Sequence, residues 1–140
     1  EISQKRIKLK QIQSHNTFTE VKDHIQKGRI LSKGKDLSID ANGAITVTDS
    51  YHLVKVADPA NDSTDNLQII NGGKQAGQIL VLQAHADDKT IVVKKYASGS
   101  DNIRMASSVV SLEESTDTIT LMYNGTDWNL ITSSVSGTPS

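Results

Sequence analysis

Four histidines, one adjacent pair of glutamates and three glycine-bearing loops are the places in this 140-residue sequence where residue types could support chemistry. His15, His24, His52 and His85 are scattered, and no two stand at the spacing of a metal-binding pair. His85 with Asp87 and Asp88 has the donor types of a hard-cation or acid/base cluster, yet carboxylates are ordinary turn residues and a solvated turn is the plainer reading. Glu113 and Glu114 are neighbours, so in a strand they would face opposite ways, a poor geometry for paired acid/base work. SGSDN at 98–102 lacks the G-x-S-x-G pattern of a serine nucleophile. NGGKQAG at 71–77 and SKGKD at 32–36 lack the following helix and the Lys-Ser/Thr ending of a phosphate-binding loop. The chain has no cysteine, which removes disulfides, thiolate nucleophiles and cysteine-ligated zinc. The expectation is therefore a protein with no catalytic residues, no metal and no cofactor.

Charge and apolar content speak to partners instead. The net charge of −1 conceals a split: residues 1–35 hold nine Lys and Arg against three acidic residues, and the rest holds six against thirteen. Such an arm suits docking on something acidic, with a well-solvated acidic head behind it. Nucleic acid is the alternative partner for the arm, since lysines release counterions from phosphate, but Phe18 is its sole aromatic and the head is acidic, so nucleic acid is disfavoured. Tyr51, Tyr96, Tyr123 and Trp128 could stack on sugars, although isolated aromatics are more often core or interface residues. Asn61-Asp62-Ser63 and Asn124-Gly125-Thr126 match glycosylation sequons, the second where a turn is needed. Hydrophobic residues make up 36% and mean hydropathy is −0.37, a thin apolar supply that favours an oligomer in which neighbouring subunits finish burying each sheet. The longest apolar runs, such as ILVL at 79–82, fall far short of the ~20 residues that span a bilayer, so no membrane insertion is expected. The chain opens EISQKRIKLK, with no apolar signal-peptide core behind it.

Three segments would have to position these residues. In 1–35, KRIKLKQI alternates with period two and reads as an extended arm. Thr17-Phe18-Thr19-Glu20 matches a capping box for a short helix whose stripe is Phe18, Val21 and Ile25 and whose stop is Gly28. Ile7, Leu9, Ile12, Phe18, Val21 and Ile25 are the candidate partner-binding anchor. The head, 36–132, reads as short strands with polar turns. Asn42-Gly43 joins Leu37 and Ile39 to Ile45 and Val47 as a hairpin, and YHLVKVA is a strand with Leu53 and either Val54 or Val56 inward. Further strands are expected near 78–83, 90–95, 102–105, 109–112, 117–123 and 127–132. In the last pair Ile119, Leu121 and Tyr123 alternate with polar neighbours up to Asn124-Gly125, a type I′ hairpin signal, and Trp128, Leu130 and Thr132 alternate after it. Residues 133–140 are expected to be a flexible tail. A weak similarity between ILVLQAHADDKTIVVKK and SVVSLEESTDTITLMYN suggests stacked hairpins rather than a true solenoid. The predicted architecture is mainly β, a compact antiparallel β-sandwich or barrel-like head with a short N-terminal arm and helix.

NGAITVTDSYHLVKV, NLQIINGGKQAGQILVLQAHADDKTIVVKK and NIRMASSVVSLEESTDTITLMYNGTDWNLI, in that order, carry a resemblance to a module of tailed-phage virion proteins, the head-decorating and tail-fibre chains. It spans about two-thirds of the chain, from Asn42 to Ile131. Asp101 departs from the pattern, where the module usually has Gly before the Asn-Ile-Arg run, and this touches the turn at that point. The resemblance implies a β-structured homotrimer on the virion surface, on capsid or tail, whose partner is the major capsid protein or another virion protein. The expected function is non-enzymatic: decorating or stabilising the capsid, or forming part of a tail fibre. The alternative is an adhesin module that binds a host-surface receptor or glycan.

Overall fold

The computed structural model describes residues 32–136. The helix and the anchor residues Ile7, Leu9, Ile12, Phe18, Val21 and Ile25 lie outside these residues. Within them the chain is mainly β, with eleven strands: β1 (Leu37–Ser38), β2 (Ala44–Thr46), β3 (Tyr51–Lys55), β4 (Thr64–Leu67), β5 (Ile69–Asn71), β6 (Ile79–Ala84), β7 (Thr90–Lys94), β8 (Ile103–Arg104), β9 (Val109–Leu112), β10 (Thr118–Tyr123) and β11 (Trp128–Ser134). The strands expected from 78 onward all form, within one or two residues of their expected bounds.

The expected antiparallel sandwich or barrel is corrected by the pairing. Of the eight strand pairings among the described residues, five are parallel. The first sheet runs β1-β3-β6-β10-β11-β8, the second β4-β7-β9 and the third β2-β5. From β3 to β7 the chain visits the sheets in a fixed cycle of first, second and third, so each turn of the chain lays its strands beside those of the turn before. This is a coil of stacked rungs, a β-solenoid in character, in which strands of the other two sheets serve as the crossovers that parallel neighbours require. The internal similarity noted above joins β6–β7 to β9–β10, which lie side by side in opposite directions, so it is not a repeat of the parallel coil.

Alternation along each strand drives the coil. β6 and β7 bury every second residue (Leu80, Leu82 and Ala84; Ile91 and Val93), and parallel register sets these side chains in columns. Leu37, Val54 and Ala84 form one such column, and antiparallel pairing aligns Leu80, Leu121 and Leu130 in another. Each fully buried aliphatic side chain contributes about 1.5–3 kcal/mol. Trp128 is fully buried and its indole N–H donates to the Ile70 carbonyl at 3.0 Å. The core of the described head is closed by its own chain, which removes the thin-core reason for needing neighbours to complete it.

Two turns and one strand differ from expectation. Asn42-Gly43 joins no hairpin: β1 and β2 enter different sheets, and Asp40 Oδ1 holds the corner by accepting from the amides of Asn42 and Ala44. Asn124-Gly125 does join a hairpin, but only Gly125 has positive φ (102°), so the turn is not type I′. Instead Asn124 Oδ1 accepts from the amides of Thr126 and Asp127 at 2.9 and 2.7 Å, and the loop widens to four residues. In β3, His52, Val54 and Val56 point inward and Leu53 is half-buried on the outer side. The phase is set by three groups that satisfy the His52 ring, described below.

After β8 the winding reverses. β9 returns antiparallel along β7, β10 returns antiparallel along β6, and β11 folds back between β10 and β8. A bulge between Thr120 and Leu121 leaves Ile131 as the extra residue of β11, 54% exposed.

Candidate functional site

At the corner where the first sheet passes into the second, the surface opens into a cavity of about 310 Å3. Its floor is apolar: Val54 and Val56 come from β3 and its extension, Ile91 from β7, and Pro59 and Ala86 from the two loops that turn the corner. Lys55, His85, Asp88 and Lys89 complete the wall. Asp36, just before β1, gathers two of these: its Oδ2 lies 3.1 Å from Lys55 Nζ and 3.4 Å from His85 Nε2. The hydrogen bond from Lys55 holds the Asp36 carboxyl below its ordinary pKa, with the charges of Lys55, His85 and Lys33 adding and partial desolvation opposing. Lys89 Nζ stands 3.9 Å from Asp88, an exposed pair of small energetic weight.

His85, Asp87 and Asp88, considered above as a cluster, diverge. His85 faces Asp36, whereas Asp87 accepts from the Ser115 amide at 2.7 Å, and Ser115 holds its carboxyl below the ordinary range. Among the described residues no group of three or more His, Asp or Glu is placed to hold a metal ion. Glu113 and Glu114 stand beyond the end of β9, in a turn rather than a strand, with their side chains exposed. The four aromatics are also dispersed. Tyr51 donates to Gln83 Oε1 at 2.6 Å, the Arg104 guanidinium lies 3.7 Å over the Tyr96 ring while its Nε donates to Asp127 at 2.9 Å, and Tyr123 packs at 4.9 Å on the buried Trp128. A fully buried indole offers no face to a sugar.

Two buried polar side chains escaped the sequence reading. His52 is wholly buried, and its Nε2 accepts from the amides of Thr48 and Asp49, both at 3.1 Å. With two donors at Nε2, the ring hydrogen sits on Nδ1 and is donated to the Lys35 carbonyl at 2.7 Å. Gly34 packs so close that a Cβ there would overlap the ring. Asp117, 1% exposed, accepts from the amides of Glu113 and Glu114 with one oxygen and from the amide and hydroxyl of Ser136 with the other. Burial pushes its pKa up, but the Ser136 hydroxyl and the three amides outweigh burial and leave it lowered. The phase of YHLVKV was the available signal for His52, since His, Val and Val share one face as readily as Leu with its neighbours. For Asp117 nothing local distinguishes it from the other acidic turn residues.

By fold and site this is a mainly β protein with a small apolar cavity at a charged corner. Comparison with known proteins finds no matching family model and no matching curated protein.

Proposed function

We propose that this chain is a non-enzymatic structural protein of a phage virion, decorating or stabilising the capsid or forming part of a tail fibre. The observation that carries the reading is where the resembling segments fall in the coil. GGKQAGQILVL builds the turn into β6 and β6 itself, TIVVKK is β7, NIRMA is β8, and DTITLMYNGTDW is the β10–β11 hairpin. They are the rungs and the reversal, so the resemblance concerns the scaffold, as expected of a structural component.

The chain is further proposed to act as a homotrimer. Because the head closes its own core, association would use the outer side of the first sheet, where Leu53, Ile79 and Val81 are half-buried and Met122 and Ile131 are 37% and 54% exposed. The alternative of a glycan-binding module is weakened by the burial of Trp128. Removing residues 1–35 tests the virion reading: the shortened chain should fail to attach to particles that bind the full chain. Attachment at full level would overturn the assignment of the anchor to Ile7, Leu9, Ile12, Phe18, Val21 and Ile25.

A further inference from the structure

We propose that the cavity floored by Val54, Val56, Pro59, Ala86 and Ile91 is a docking site for a partner-protein segment bearing one aliphatic side chain between basic residues. This goes beyond the virion reading and does not rest on it. The floor supplies the apolar half of the recognition. At about 310 Å3 the cavity lies at the bottom of the ~300–1,000 Å3 range of small-molecule sites, room for one side chain and a stretch of backbone rather than for a large cofactor.

Charge supplies the other half. The loops that carry the chain between the first and second sheets at this corner are 56–63, 85–89 and 113–117. They hold Asp58, Asp62, Asp87, Asp88, Glu113 and Glu114 toward the surface, against the single lysine Lys89, while Asp117 is buried. Lys89 is engaged locally, near Asp88 and within reach of Asp58, and Lys55 is held by Asp36. The acidic ridge runs past the cavity along neighbouring loops, of which 85–89 and 113–117 are joined by the Ser115 amide donating to Asp87. A ligand confined to the cavity would leave most of this field unused, whereas an extended basic segment lying along the ridge would meet it while its aliphatic side chain filled the floor. Each of the two lysines in the wall has a carboxylate beside it, Asp36 for Lys55 and Asp88 for Lys89, so the surplus of charge along the ridge remains acidic.

The test uses the full chain and methyl NMR, with an acetylated, amidated pentapeptide of one leucine between two lysines on either side. Expected are shifts at the methyls of Val54, Val56, Ala86 and Ile91. Replacing the peptide leucine by alanine should weaken binding about tenfold or more, and raising salt from low to high should weaken it severalfold. Ala86→Glu, which places a carboxylate over the floor, should abolish binding while the Trp128 indole resonance stays in place. If that variant does not fold, Asp58→Lys with Asp88→Lys, both at exposed positions, should weaken binding severalfold at low salt and little at high salt. The proposal is overturned if the cavity methyls do not move, if the alanine peptide binds as well, which would leave charge alone, or if a neutral leucine peptide binds as well, which would make this a site for apolar ligands.

Discussion

His52 joins Lys35 to the Thr48–Asp49 turn through one ring, so its removal takes the partner from three part-buried backbone groups and empties a buried site. His52→Ala should therefore destabilise the head by about 1–3 kcal/mol, read as a lowered urea midpoint at unchanged m. Gly34→Ala should also destabilise the wild type, and cost far less in the His52→Ala background because the overlapping ring is gone. Equal costs in both backgrounds would place the Gly34 constraint elsewhere. Asp117 makes a prediction about pH. Its folded pKa is lowered, so its contribution is complete above the ordinary carboxylate range and is lost as pH falls through the folded value, below about pH 4. Asp117→Asn should lower stability by about 1.5–3 kcal/mol at pH 7, and should lose less than wild type between pH 5 and pH 3. A slope remains, because Asp36, Asp58 and Asp87 are lowered too. A variant with the full wild-type slope would remove Asp117 from the acid response.

At the level of strands, a short pairing is reinforced by a side chain. β8 has only two residues and pairs only with β11, yet Asn102 just before it donates its Nδ2 to the Ile70 carbonyl at 2.9 Å and accepts the Ile70 amide on Oδ1 at 2.8 Å. The carboxamide thus takes the place of a neighbouring peptide bond and ties the third rung to β5. Asn102→Ala leaves the Ile70 amide without its acceptor and should cost about 1–3 kcal/mol, with faster hydrogen exchange at Ile70 as its local signature. Exchange unchanged at Ile70 would show that the tie is not rate-limiting for opening there. Strand positions were legible because β7, β10 and the start of β11 alternate in a period of two, and ILVL in β6 is a short apolar run between turn signals. Partners were not. Alternation reports which side chains point inward and is silent on whether the neighbour runs parallel, so Asn42-Gly43 read as a hairpin when it is a corner. The cavity was illegible for the same reason: Val54, Pro59, Ala86 and Ile91 come together only because successive rungs stack.

For the molecule as a whole, the closed core shifts the question of assembly from necessity to surface chemistry. Light scattering of the full chain is expected to give three times the 15.2 kDa of one chain, and Met122→Lys with Ile131→Lys should reduce it to one. A trimer that survives both changes would use another surface, and a monomeric wild type would end the trimer proposal. The reversal after β8 carries a separate consequence. A coil of parallel rungs can lengthen for as long as each new turn repeats the direction of the last, but β10 takes the place beside β6 and β9 the place beside β7, both running the opposite way. A further parallel rung would therefore find the places beside β6 and β7 already taken by strands of opposite direction. The returning strands β9 and β10 thus act as a terminator, finishing the parallel stack at β6 and β7.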